Sequence, residues 1–176
     1  MLKVNRDTAV SSVSFYPGDD LLFDKTMKYL KQEQLLPISI EEAWIYFSDP
    51  SNLNAITPDD MVFEITSEIP PIMYEGMMIT YRIRPMLNIP LKWCTEITHI
   101  KEGSLFIDEQ RTGPYRLWHH EHHFREVPEG VLMTDRLHYE IGKSFIGWIA
   151  GKLYVHRRVR QIFEYRHKIL EQKFRK

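Results

Sequence analysis

The sequence predicts an α+β fold: a strongly curved antiparallel sheet of seven strands, two short helices, and a long C-terminal helix that covers the sheet and encloses a cavity. Three observations carry this. Apolar residues recur with a period of two between residues 61 and 141, the period becomes helical after Gly142, and a capping signal opens a short helix at Ser39. A sheet with one apolar face needs a cover, and an amphipathic helix supplies it.

Taken in order, residues 1–26 show no sustained period, and Tyr16-Pro17-Gly18-Asp19-Asp20 is turn chemistry, because Pro fixes φ and Gly accepts positive φ. They read as an N-terminal leader before a single domain, 27–176. Met27 to Leu36 fits a strand. Ser39-Ile-Glu-Glu42 has capping-box spacing, in which the Ser hydroxyl accepts from an early backbone N–H and the Glu reaches back. Ile40, Ala43, Trp44 and Phe47 share one stripe of the helix that follows, and Asp49-Pro50 ends it, since Pro disfavours helix in the preceding residue. A second helical turn, Asn52 to Ile56, stops before Pro58.

Six further strands follow. Met61, Phe63 and Ile65, then Met77, Ile79, Tyr81 and Ile83, then Trp93, Thr95 and Ile97 alternate with polar neighbours and are expected to face inward. Turn signals separate the runs: Pro70-Pro71, Glu75-Gly76, Pro85 to Pro90, Lys101-Glu-Gly103, Gly113-Pro114 and Pro128-Glu-Gly130. All the connections except the Pro-rich ones are short enough for antiparallel hairpins. Beyond Gly142, Phe145, Ile149, Leu153 (or Lys152), Val159, Phe163 and Leu170 lie broadly along one side of a helix, with Trp148, Val155, Ile162 and Ile169 at heptad spacing beside them. Gly147 and Gly151 each weaken its first turns by about 1 kcal/mol relative to Ala.

Composition bounds the function. The chain has 176 residues, 43% of them hydrophobic, enough to build one sizeable core and too few for two enzymes in tandem. A single cysteine, Cys94, excludes an intrachain disulfide and a four-cysteine zinc site. The N-terminus lacks the apolar core of a signal peptide, and a cytoplasmic protein is expected. The net charge of −1 disfavours an isolated nucleic-acid-binding role. It conceals an asymmetry: residues 145–176 carry 9 Lys/Arg against 2 Asp/Glu, while the rest is acidic. Such a basic helix is usually a solvated face; the alternative is docking on anionic lipid or an acidic partner.

Against this architecture the chain resembles the SRPBCC, or START-related, helix-grip superfamily over about residues 27–170, and most closely its uncharacterised bacterial ligand-binding branch with polyketide cyclase-like members. The resemblance rests on Leu36-Pro-Ile-Ser-Ile-Glu-Glu-Ala-Trp-Ile-Tyr-Phe-Ser-Asp-Pro50 with Asn52-Leu53 and Ile56-Thr-Pro58. It continues with Trp93 and Thr95, Asp108-Glu-Gln110, Gly113-Pro-Tyr115, and Trp118-His-His-Glu-His-His-Phe124 with Asp135. It implies a pocket for an apolar or aromatic small molecule and no particular reaction, because the fold hosts both binders and cyclases.

The histidine run is the most informative stretch. One parity gives Trp118, His120, His122 and Phe124; on the next strand Val131, Met133, Asp135, Leu137, Tyr139 and Ile141 are apolar except for Asp135. Both sets are expected inside. A four-residue connection, Val127 to Gly130, places His122 opposite Asp135, whereas a three-residue loop would shift the pairing by one and break the pattern. A carboxylate beside an imidazole in an apolar cavity raises the histidine pKa and can act as an acid/base pair, or the two can simply satisfy each other. On the preceding strand, Phe106, Asp108 and Gln110 compete with Leu105, Ile107 and Glu109 for the inner face, and the family pattern favours the former. The outer histidines, His119 and His123, are expected in solvent. His120, His122, Asp108 and Asp135 together could hold a divalent cation, but no further spaced ligand fixes a geometry, and no metal or other cofactor is expected. No Gly-rich phosphate loop occurs, and Cys94 has outward parity.

The expectation is therefore binding of an apolar, aromatic or lipid-like small molecule. Its anchors are Asp108, Gln110, His120, His122 and Asp135, and its walls Trp93, Trp118, Phe124, Met133 and Tyr139. Met61, Met73, Met77, Met78 and Met86 would supply an adaptable lining or ordinary core. The enzymatic alternative is a cyclase, dehydratase or hydrolase with His122 and Asp135 as its catalytic pair; the third reading docks the basic helix on a membrane or partner.

Overall fold

In the computed structural model of the protein, residues 12–14, 27–84, 90–142 and 145–175 are described, those at 12–14 and 145–152 as backbone only. The elements are β1 (Ser12–Ser14), β2 (Lys28–Leu36), α1 (Ile40–Phe47), 3-10 turns at Pro50–Ile56 and Asp59–Met61, β3 (Glu64–Ile65), β4 (Met78–Ile83), β5 (Leu91–Lys101), β6 (Leu105–Thr112), β7 (Tyr115–Val127), β8 (Gly130–Ile141) and α2 (Phe145–Phe174). The turn expected at residues 16–20, residues 85–89 of the Pro-rich connection with Met86, and the side chains of Phe145, Trp148 and Ile149 lie outside the described residues.

Local signals set the first elements as the sequence predicts. The Ser39 Oγ accepts from the Glu42 N–H at 3.1 Å and the Glu42 Oε2 accepts from the Ser39 N–H at 2.9 Å, a closed capping box. The strands form one antiparallel sheet in the order β1-β2-β8-β7-β6-β5-β4-β3. All seven expected strands are present. An eighth, β1, pairs Ser12–Ser14 with Lys31–Glu33 at the sheet edge, so part of the segment read as a leader joins the sheet. Three residues are too few to display a period.

Register shifts in β5 between Cys94 and Thr95 and between Ile97 and His99 bend the sheet. The second lets Thr95 and Ile97 face inward with odd parity while Ile100, opposite Phe106, faces inward with even parity. The core gathers in three patches on the concave face. Leu36, Ala43, Phe124 and Met133 pack under α1 and against Leu170; Leu30, Leu137 and Tyr139 meet Val159 and Phe163 of α2; Met77, Ile79 and Ile83 fill the far end.

α2 corrects one position. Leu153 is 83% exposed, because six residues before Val159 lies about 240° around a helix. Val155, one turn before Val159, takes that place against the second patch. The basic residues are not all solvated: Arg158 Nη2 meets Asp60 Oδ1 at 2.6 Å, and Arg166 is buried. No helix among the described residues is long and apolar enough to cross a membrane.

The β7–β8 register matches expectation, with Val127 opposite Gly130 and His122 opposite Asp135. Gly130 has φ 137°, and a Cβ there would lie 2.1 Å from the Leu36 carbonyl oxygen. Both the conformation and the space demand glycine. Gly130→Ala should cost more than about 1 kcal/mol, which thermal unfolding would register as a midpoint lowered by at least about 2 °C.

Candidate functional site

Alternation along three adjacent strands brings Asp108 of β6, His120 and His122 of β7, and Asp135 of β8 to the concave face. His120 Nε2 lies 3.0 Å from Asp135 Oδ1, and His122 Nε2 lies 2.9 Å from Asp108 Oδ2. An ionised carboxylate only accepts, so both Nε2 atoms carry hydrogen and donate. The remaining ring nitrogens face the opposite carboxylates: His120 Nδ1 is 3.3 Å from Asp108 Oδ2, and His122 Nδ1 is 3.0 Å from Asp135 Oδ1. The last contact is close but not aligned as a hydrogen bond, and His122 Nδ1 is buried with no bonded partner. The hydrogen bonds are thus crossed relative to the strand register: Asp135 sits opposite His122 yet accepts from His120.

The four groups form a closed quartet. The two imidazoles lie 3.8 Å apart between centroids, and Phe106 stacks on His122 at 4.1 Å. Residue exposures are 3% for His120, 6% for His122 and 4% for Asp135. Burial alone would raise both carboxyl pKa values; the hydrogen bonds and charges of His120 and His122 outweigh it and hold Asp108 and Asp135 well below 3.8. Burial likewise pushes His120 down, and the two carboxylates reverse the sign, leaving it above 6.5.

Beside the quartet is a cavity of about 220 Å³. Asp108, His120 and His122 form its polar end. One wall is aromatic: Trp93 and Trp118 meet edge to face at 5.3 Å, and Tyr115 lies 4.9 Å from Trp118. Trp93 Nε1 is satisfied by Thr95 Oγ1 at 3.0 Å, which leaves its ring as apolar surface. Ile79, Tyr81 and Ile97 floor it, α1 and the first 3-10 turn contribute Phe47, Leu53 and Ile56, and α2 contributes Arg158, Ile162 and Arg166.

Of the residues singled out from sequence, Trp93, Asp108, Trp118, His120 and His122 line this cavity. Asp135 stands behind the histidines. Phe124 and Met133 belong to the core patch beneath α1, where Trp44 packs on Phe124 at 6.0 Å. Tyr139 is buried under α2 with its hydroxyl 3.0 Å from His156 Nδ1, and burial pushes its phenol up to about 12. Gln110 is placed elsewhere: its Nε2 donates to the Tyr115 carbonyl at 2.7 Å and its Oε1 accepts from the Tyr115 N–H at 3.2 Å, clamping the β6–β7 turn. A Cβ at Gly113 would fall 2.2 Å from that Oε1, so the glycine makes room for the clamp. Met61 and Met73 line the cavity, Met77 is core and Met78 is exposed.

Sequence reasoning missed Tyr46, Tyr115, Arg158 and Arg166 on the cavity wall. The two arginines were legible in principle, since Arg158, Ile162 and Arg166 are spaced four apart and Arg166 follows Phe163 by three. On the convex face, His119 and His123 are not free in solvent: His119 Nδ1 meets Glu109 at 2.7 Å and His123 Nε2 meets Glu121 at 2.6 Å. Asp108, His120 and His122 bring potential ligand atoms within 4.8 Å of one another and could hold a divalent cation, which would have to displace the ion pairs just described.

No protein-family model matches the sequence, and no curated protein matches it. Solved structures do. TTHA0849 from Thermus thermophilus superposes with a TM-score of 0.61 at 18% identity, over 83% of this chain and 96% of that one. Ara h 8.0201 gives 0.60 at 13% identity, over 84% and 97%. The di-domain ARO/CYC StfQ from the steffimycin biosynthetic pathway gives 0.60 at 9% identity over 84% of this chain; the match spans 49% of StfQ. The chain shares the helix-grip fold of these structures.

The quartet makes stability depend on pH. His120, raised above 6.5, contributes fully below that pH and loses its contribution as pH rises through the folded value. Asp108 and Asp135, depressed below 3.8, contribute above that pH and lose it only in stronger acid. The quartet is therefore most stabilising between pH 3.8 and 6.5. His138 and His167, pushed down by burial, act in the opposite sense below 6.5. Thermal midpoints should fall from pH 6.5 towards pH 9 through the quartet, and Asp135→Asn should move that fall to lower pH. An alkaline limb identical in the variant would contradict the coupling.

Proposed function

We propose that the protein binds an apolar, aromatic or lipid-like small molecule in the cavity between the curved sheet and α2. The observation that carries the reading is a cavity of about 220 Å³ with aromatic and aliphatic walls converging on one buried polar end. Pockets of this make-up, mostly apolar with a few fixed polar groups, are the usual form of small-molecule sites. Trp93 and Trp118 supply flat walls for a planar ligand. Asp108, His120 and His122 orient it, and Asp135 holds His120 in place from behind. The solved structures that share the fold include one named an ARO/CYC protein, which supports a bound organic ligand without naming one here.

A second reading rests on His122 Nδ1, a buried ring nitrogen with no hydrogen-bond partner, on a residue that lines the cavity. Such an imidazole, oriented by Asp108 and close to Asp135, is equipped to move a proton on a bound ligand, as a cyclase, dehydratase or hydrolase requires. His122→Ala separates the two readings: the binder loses an orienting contact and has no turnover to lose, whereas the enzyme loses turnover by about 100-fold or more, on the order of a general acid–base contribution.

Calorimetric titration with 2-naphthalenemethanol, a neutral bicyclic probe, tests the location. Ile79→Trp fills the floor of the cavity and should weaken binding at least tenfold, about 1.4 kcal/mol. An unchanged dissociation constant in a folded variant would place the ligand elsewhere and overturn the proposal.

A further inference from the structure

Arg166 carries a charge that nothing among the described residues neutralises. It is 9% exposed, lines the cavity, and its Nε is buried without a hydrogen-bond partner. Its guanidinium lies over the Phe163 ring at 5.3 Å, and that ring also touches His120 at 5.4 Å. The acidic groups of the cavity's polar end, Asp108 and Asp135, are held by the two histidines. A buried guanidinium without a carboxylate is costly, and proteins keep such groups paired or place them where a ligand will pair them.

A second polar group points the same way. The Tyr46 hydroxyl, on α1, is buried without a partner, and Tyr46 also lines the cavity. Tyr46 on α1 and Arg166 on α2 line the same cavity, and the Arg166 charge opposes the upward push of burial on this phenol. Arg158, two turns earlier on the same face of α2, is already neutralised by Asp60 at 2.6 Å. Between the arginines stands the apolar Ile162. The cavity lining thus has one buried guanidinium with no carboxylate within ion-pair distance among the described residues, and one unpartnered hydroxyl; Asp49, also on the lining, is exposed and accepts from the Ser51 N–H.

We infer that the ligand is an organic acid with an aromatic or otherwise apolar body, whose carboxylate is held by the Arg166 guanidinium and the Tyr46 hydroxyl. A guanidinium presents parallel N–H donors that match a carboxylate, and a monoanion balances a single unpaired cation. A phosphate dianion would leave one charge over. This assignment rests on the proposed function, since it names the chemical class that the same cavity takes.

Titrating the whole protein with 2-naphthoic acid, 2-naphthalenemethanol and 2-naphthyl phosphate at neutral pH tests it. The acid should bind at least tenfold more tightly than the alcohol and than the phosphate. Arg166→Met should abolish the preference for the acid while leaving the alcohol affinity within about threefold, and its thermal midpoint should equal or exceed that of the ligand-free wild type, because an unpaired buried charge has been removed. Arg166→Lys should keep part of the preference, and Tyr46→Phe should reduce it. Equal affinities for acid and alcohol in the wild type overturn the inference and leave the proposed function standing. A phosphate that outbinds the acid overturns the carboxylate assignment. Failure of all three probes to bind overturns the proposed function and the inference together. Should Arg166→Met not fold, the wild-type ratio with the lysine and Tyr46→Phe variants decides between these outcomes.

Discussion

The register of β7 against β8 is the constraint on which the rest of the molecule depends. With Val127 opposite Gly130, the even positions of β7 and the odd positions of β8 share the concave face, and two histidines and a carboxylate arrive there together. A slip of one residue would turn His120, His122 and Phe124 to the outside and bring His119 and His123 in. Gly130 guards against the slip, since its backbone packs against the Leu36 carbonyl in a space no side chain can enter. Local turn chemistry therefore decides where the polar centre of the site lies.

Once inside, the polar groups must satisfy each other. Two carboxylates and two imidazoles surrounded by Phe106, Trp118 and Phe163 have little solvent to turn to, and the crossed arrangement gives each carboxylate two histidine neighbours. Replacing any one member leaves an unpaired partner in a low-dielectric setting, which costs more than the hydrogen bond itself is worth. This mutual dependence ties the four side chains to one arrangement, which suits the ligand-orienting role proposed for them. Arg166 and Tyr46 present the contrasting case: they line the cavity, and the guanidinium Nε and the phenol hydroxyl are buried with no hydrogen-bond partner among the described residues.

Much of this was legible in the sequence because it is governed by period and by turns. The capping box at Ser39, the alternation in β4 and β7, and the glycine turns each specify their element locally, and together they imply a curved sheet with one apolar face. The inward parity of Asp108, ambiguous from alternation alone, is settled by pairing with His120 across β6 and β7. Other features depend on geometry that no period encodes. Gln110 has inward parity in the strand, yet its amide folds over the turn because Gly113 leaves room there. Phe124 and Met133 share the face of the histidines but lie beneath α1, whose position along the sheet is a tertiary matter. The arginines of α2 looked like a solvated basic face, and only the packing of Val159, Phe163 and Leu170 shows that Arg166 turns inward with them.

If the cavity binds a ligand as proposed, the ring nitrogens of His120 and His122 on its lining are direct reporters of occupancy. Long-range proton–nitrogen NMR spectra of histidine-labelled protein, recorded during titration with 2-naphthalenemethanol, would follow them individually. Saturable shifts of His120 and His122, with His99, His119 and His123 on the exposed side unmoved, are the predicted result. Shifts confined to the outer histidines, or none at a concentration where calorimetry reports saturation, would contradict it.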